Sequence, residues 1–296
     1  MTEIKEGFVP FGKYQTYYRI AGSGYTDKPP LILLHGGPGS THNYFEVLDP
    51  VADMTKRQVI MYDQLGCGRS SIPDDTPEVY NAKTWMEELD NLRRQLCVGE
   101  FHLLGQSWGG MLALLTVLDG KSAGIRSLIL ASTLSSASLW ASELHRMIRF
   151  MDPADQEAIR QAEASGDFTT PGYLAANTRF MELHSCAKIT ADAPEPLRRV
   201  KKGGTRAYLE GWGPNEYNPQ GNLHDYEVTD RLGEIKVPTL ITSGTDDLCT
   251  PLVAKTMYDR IENARWELFA GCRHMSFAQE NERYMNLLCD WLDSND

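Results

Sequence analysis

Ser107 lies between two glycines in Gly105-Gln106-Ser107-Trp108-Gly109, with the apolar run Phe101-His102-Leu103-Leu104 before it and the small-residue run Gly110-Met111-Leu112-Ala113-Leu114-Leu115 after it. This order, strand then glycine-bracketed serine then helix, constrains the fold more than any other feature of the chain. A serine at such a turn takes a strained backbone conformation that lifts its hydroxyl above the sheet, and a β-carbon at either flanking position would clash with the neighbouring strand or helix. A Gly-x-Ser-x-Gly match is common in ordinary loops, so the apolar context on both sides carries the reading. Ser107 is the candidate nucleophile.

Acyl hydrolysis through a serine passes a tetrahedral oxyanion, which needs two backbone N–H groups aimed at a point about 3 Å from each donor. One is expected from Trp108, directly after the serine. The other is expected from the loop after an earlier strand, and Leu31-Ile32-Leu33-Leu34 followed by His35-Gly36-Gly37-Pro38-Gly39 supplies it, with Gly37 as the donor. The remaining partners should follow in the order acid, then histidine. The apolar run Val237 to Ser243 reads as a buried strand with Gly244-Thr245-Asp246-Asp247 at its carboxyl end and a helix opening at Pro251. Asp247 is the favoured acid and Asp246 the alternative. Arg265 to Phe269 reads as the last strand, and Gly271-Cys272-Arg273-His274 leaves it. Of seven histidines, only His274 follows both serine and acid at a strand end, which makes it the base that takes the Ser107 proton while Asp247 fixes its tautomer.

Five segments together resemble one family: His35-Gly36-Gly37-Pro38-Gly39, Tyr62-Asp63-Gln64-Leu65-Gly66-Cys67-Gly68-Arg69-Ser70, Gly105 to Gly110, Gly213-Pro214-Asn215-Glu216-Tyr217, and Gly271 to His274. The sequence is similar to the prolyl aminopeptidase (proline iminopeptidase) branch of the α/β-hydrolases over nearly its whole length. The resemblance implies a serine hydrolase that releases an unblocked N-terminal residue, typically proline, or cleaves a related amide. It also implies that Glu216 holds the substrate's ammonium, since a cation desolvated in a closing pocket needs a paired anion. Trp212 and Tyr217, beside Glu216, are candidates for lining the substrate pocket, although aromatic residues there are equally ordinary core. Related peptidases often carry a second acid directly after the triad aspartate, where this chain has Leu248; that departure shifts the expected substrates toward amino-acid amides, esters or arylamides. Two other readings stay open: a small-molecule esterase or amidase with the same triad, and a non-catalytic ligand-binding relative.

The alternation of apolar strands with helical patterns before residue 135 and after 236 indicates a mostly parallel, doubly wound sheet with helices on both faces. Between them the periodicity is helical, as in Leu139, Leu144, Ile148 and Met151, with interruptions at Pro153, Gly166, Pro171, Pro194 and Pro196. The expected organisation is a catalytic α/β-hydrolase domain from 1–135 and 227–296 with an inserted helical cap at 136–226.

A net charge of -11 argues against nucleic acid and anionic membrane as partners, because their phosphates would be repelled. The expected partner is a small peptide or amino-acid amide with a free amine; oligomeric state is not legible. Six cysteines at 67, 97, 186, 249, 272 and 289 show no metal-ligand spacing, and no metal or organic cofactor is called for. The stretch Met1 to Gly7 lacks a charged-then-apolar signal and no apolar run approaches a membrane span, so a cytoplasmic enzyme with reduced thiols is expected.

Overall fold

The computed structural model describes residues 2–73, 75–120 and 123–296; Met1, which opens the N-terminal stretch considered above, lies outside the described residues. The apolar runs form the centre of an eight-stranded sheet: β1 (Ile4–Phe11), β2 (Tyr14–Ala21), β3 (Leu31–Leu34), β4 (Val59–Tyr62), β5 (Phe101–Gln106), β6 (Ile125–Ala131), β7 (Thr239–Gly244) and β8 (Ala264–Phe269). Their spatial order is β1-β2-β4-β3-β5-β6-β7-β8, antiparallel from β1 through β2 to β4 and parallel from there on. This is the expected α/β-hydrolase fold.

Every residue of β3, β4 and β5 is buried, because helices cover both faces and leave no polar side for the strands to show. Side chains alternate between the two faces: Ile32, Leu34, Ile60, Leu103 and Leu130 join one apolar cluster, while Leu31, Leu33, Met61, Leu104 and Ile129 join the other. The antiparallel hairpin β1–β2 escapes an apolar-run reading, since β1 is largely exposed at the sheet edge.

Three helices, α1 (Pro50–Thr55), α2 (Ala82–Gln95) and α3 (Trp108–Leu118), precede β6. After β6 come α4 (Ala137–Ile148), α5 (Pro153–Ser165), α6 (Pro171–His184), α7 (Glu195–Arg198) and α8 (Thr205–Gly211), with no strand among them. This helical segment enters and leaves through one neck. Ser136 bridges Glu227, the Ala137 amide donates to Tyr226 O at 2.8 Å, and the Val228 amide donates to Ser135 O at 2.8 Å. Ser136 also caps α4 by accepting from the Leu139 amide at 3.1 Å. The sheet resumes with β7, followed by α9 (Pro251–Tyr258), β8, α10 (Ser276–Gln279) and α11 (Asn281–Ser294). The first apolar cluster runs on from the sheet into the inserted helices through Trp140, Leu144, Phe180 and Tyr217, so the insertion is packed on the strand ends rather than tethered above them. Among the described residues no helix is long and apolar enough to cross a membrane, and no group of His, Cys, Asp or Glu is placed to hold a metal ion.

Candidate active site

Ser107 stands between β5 and α3 with φ 56° and ψ −125°, a sparsely populated conformation for a residue with a β-carbon. It persists because its neighbours fix both sides of the residue: the Ser107 amide donates to Ala131 O at 3.0 Å, and Thr133 Oγ1 donates to Ser107 O at 2.6 Å. The flanking glycines are required by close packing. A β-carbon on Gly105 would come within 2.1 Å of Gly109 O, and one on Gly109 within 2.0 Å of Leu34 O.

The loop after β3 is braced against this turn. The Gly36 amide donates to the Tyr44 hydroxyl at 2.6 Å, and that hydroxyl donates to Gln106 Oε1 at 2.8 Å. Gln64 ties the loop to the helix start, donating from Nε2 to His35 O at 2.9 Å and accepting at Oε1 from the Trp108 indole at 2.8 Å. Burial depresses the His35 pKa to about 4, so the ring is neutral; its Nε2 accepts from the Gln64 amide at 3.0 Å. Gly37 sits at φ 116°, where a β-carbon would lie 2.6 Å from Gly39 N. Trp108 is the first residue of its helix, so its N–H has no intrahelical acceptor. Neither the Gly37 nor the Trp108 amide has an acceptor among the described residues.

Asp247 follows β7 and is buried, whereas Asp246 is exposed, so of the two candidate acids only Asp247 faces the interior. His274 Nδ1 donates to Asp247 Oδ1 at 2.7 Å, and the same oxygen accepts from the Cys249 amide at 2.9 Å. Oδ2 accepts from Ser132 Oγ at 2.6 Å and from the Gly244 amide at 3.1 Å. Four donors therefore surround one buried carboxylate. The His274 ring also packs edge-on against Trp140, with centroids 5.9 Å apart. Ser107 and His274 line one cavity, and their hydroxyl–imidazole hydrogen bond is not formed in this structure; such catalytic contacts are often long before substrate binds.

That cavity, of about 260 Å³, is also lined by Gly37, Glu216, Leu248 and Lys201. Half-buried Glu216 accepts from the Tyr208 hydroxyl at 2.9 Å, and its backbone carbonyl accepts from the indoles of Trp140 at 3.0 Å and Trp212 at 3.2 Å. Burial raises the Glu216 pKa, while the His274 charge and the Tyr208 hydrogen bond oppose the shift. The structure places Trp212 and Tyr217 away from the cavity lining: Trp212 supports Glu216 from behind, and Tyr217 packs within the inserted helices against Phe180 and His145. Leu248 is buried and presents an apolar wall at the position directly after the acid Asp247.

Inserted helices and sheet loops are joined at this site. The His274 amide donates to Ser185 O and the Leu248 amide to His184 O, each at 3.2 Å. Sequence reasoning left out Ser132, Trp140 and Lys201. Ser132 had a usable signal, since it is polar and stands at the carboxyl end of a central parallel strand, where such sheets assemble their sites. Trp140 and Lys201 had none, because tertiary packing alone brings them here.

The α/β hydrolase fold family matches residues 29–281. Proline iminopeptidases of Lactobacillus delbrueckii subsp. lactis and Lactiplantibacillus plantarum are 62% and 60% identical, over 99% and 97% of this chain and 100% of each of theirs. Among solved structures, VinJ superposes with a TM-score of 0.90 at 33% identity over 99% of both chains. A proline iminopeptidase of Mycobacterium smegmatis superposes with a TM-score of 0.84 at 29% identity over 98% of both chains.

Proposed function

The chain belongs to the proline iminopeptidase family of α/β hydrolases, and from that premise we propose that it releases N-terminal proline from small peptides through an acyl-enzyme on Ser107. The observation that carries this reading is the Asp247–His274 pair at 2.7 Å opening onto the cavity that holds Ser107. His274 takes the Ser107 proton as the hydroxyl attacks the carbonyl of the first residue. The amides of Gly37 and Trp108 receive the oxyanion, and the amine departs with the proton from His274. Water then repeats the sequence and frees the acid. Glu216 pairs with the substrate ammonium; desolvated beside that cation, its carboxylate gains the partner that burial withholds from it in the free enzyme. Residues 136–226 act as a lid that carries Glu216, with the neck at Ser136 and Glu227 as its attachment. Buried Leu248 in the cavity wall favours a second activity on amino-acid arylamides and small amides, whose leaving groups are apolar. With six free cysteines, the enzyme belongs in a reducing compartment, the cytoplasm.

A panel of prolyl arylamide, its N-acetylated counterpart and a small neutral ester tests the reading. The free amine is expected to be cleaved at least a hundredfold faster than the acetylated form. Equal rates would overturn recognition of the amine, and hydrolysis of the ester alone would overturn the peptidase reading.

A further inference from the structure

Lys201 lines the cavity that holds Ser107, and its ammonium sits 5.0 Å from the centre of the Tyr44 ring, the same tyrosine that braces the Gly36 amide. It is half-buried, and among the described residues no carboxylate pairs with it. Glu216, the cavity's carboxylate, is held by the Tyr208 hydroxyl, whereas Lys201 sits over the Tyr44 ring, and no ion pair joins the two. A desolvated cation without an anion is costly unless a ligand supplies one.

The backbone around Lys201 is anchored on both sides. Arg199 donates to Glu46 at 2.7 Å, the Gly68 amide to Lys202 O at 2.8 Å, and the Gly204 amide to Gly39 O at 2.7 Å, the last on the loop that carries Gly37. The ammonium is therefore presented on a strap tied to the core.

Resting on the peptidase reading above, we propose that Lys201 binds the free α-carboxylate of the leaving residue, which makes the zwitterionic dipeptide the preferred substrate. A dipeptide carries one cation and one anion at its two ends, and the cavity offers one anion, Glu216, and one cation, Lys201. One extended residue spans at most about 3.6 Å, so only a dipeptide has its carboxylate one residue beyond the scissile carbonyl; each further residue carries it outward. A second, apolar recess of about 140 Å³ shares Ser185 and Met275 with the cavity and leaves room for the leaving residue's side chain. Burial pulls the Lys201 pKa down, and an arriving carboxylate would reverse that shift.

Steady-state kinetics on Pro-Ala, on Pro-Ala amide and on Pro-Ala-Ala tests the assignment in wild type, Lys201→Met and Lys201→Arg. Wild type is expected to favour the free dipeptide over its amide by roughly tenfold to a hundredfold, mainly in KM, the range of one charge-assisted hydrogen bond. Lys201→Met should bring the acid-to-amide ratio close to one, and Lys201→Arg should keep it well above one. A merely structural lysine would move all three substrates together and leave the ratio alone. A wild type that cleaves acid and amide equally, or a Lys201→Met variant that preserves the ratio, would overturn this proposal alone; release of proline from none of the three would overturn the peptidase reading with it.

Discussion

Replacing Glu216 by glutamine removes a single charge while keeping the shape and an oxygen that can still accept from the Tyr208 hydroxyl, now at 2.9 Å. Two consequences of opposite sign follow. For a substrate with a free amine, the ammonium loses its buried counter-ion. Breaking one side of a buried pair costs about 3–5 kcal/mol, or roughly a hundredfold to several-thousandfold in kcat/KM. For a neutral ester there is no ammonium to strand, and the loss should stay within about threefold, well under 1 kcal/mol. The substrate-free protein responds the other way. Burial raises the Glu216 pKa above the ordinary 4.5, so its contribution to stability is fully present below that value and is lost as pH rises through the raised one. Near neutral pH, Glu216→Gln should therefore unfold at a temperature no lower than wild type. The assay pairs kcat/KM on prolyl arylamide and a small acetate ester with a thermal melt at pH 7. Equal losses on the two substrates would refute the ammonium role, and a melting temperature several degrees below wild type would refute the claim that the carboxylate is held at a cost.

Ser132→Ala removes the 2.6 Å donor to Asp247 Oδ2 and leaves that oxygen only the Gly244 amide, while alanine keeps the β-carbon at the same φ of 47°. A charge-assisted hydrogen bond is worth about 1.5–3 kcal/mol, so kcat should fall roughly tenfold or more; an unchanged kcat would remove Ser132 from the positioning of Asp247. Gly109→Ala would force a β-carbon to 2.0 Å from Leu34 O and should yield no cooperative thermal melt, whereas Gly99→Ala, with nothing within 4 Å, should melt like wild type; similar melts for both would refute the packing account of the turn. Glu88 is fully buried beneath the loop after β4, where its carboxylate accepts from the Leu65 amide at 2.8 Å and burial pushes its pKa up to about 7. Its contribution to stability, up to about 3 kcal/mol, is present below pH 4.5 and lost as pH rises through 7. Denaturant titrations from pH 5 to 8 should show a flatter profile for Glu88→Gln, and parallel profiles would contradict the shift.

The sheet centre was legible because buried parallel strands are largely apolar: Leu31–Leu34 matches β3 residue for residue, Phe101–Leu104 falls within β5, and Val237–Ser243 overlaps β7 from Thr239 on; Arg265–Phe269 falls within β8, although that edge strand is mostly not buried. Local chemistry also wrote the glycines of the turn into the sequence, since each close approach forbids a β-carbon. The choice between Asp246 and Asp247 was nearly legible as well: neighbouring side chains diverge, and one is exposed while the other is buried. Adjacency misled for Trp212 and Tyr217. Standing close to Glu216 in the chain, they project elsewhere, one behind its carbonyl and one into the packing of the inserted helices. Trp140 and Lys201 reach the site only through long-range contacts, which a one-dimensional pattern does not encode, whereas Ser132 was marked by its place at the carboxyl end of β6. The hairpin β1–β2 was hidden for a different reason, since its edge strand is exposed and polar enough to resemble a loop.

Hydrolysis of prolyl arylamide by Ser107→Ala tests the nucleophile most directly. The hydroxyl is the sole atom lost and the strained turn keeps its β-carbon, so the thermal melt should match wild type while kcat falls by roughly 10⁴-fold or more, as when serine hydrolases lose their nucleophile. A variant that melts like wild type and keeps a tenth of the wild-type rate would show that the acyl group is carried elsewhere.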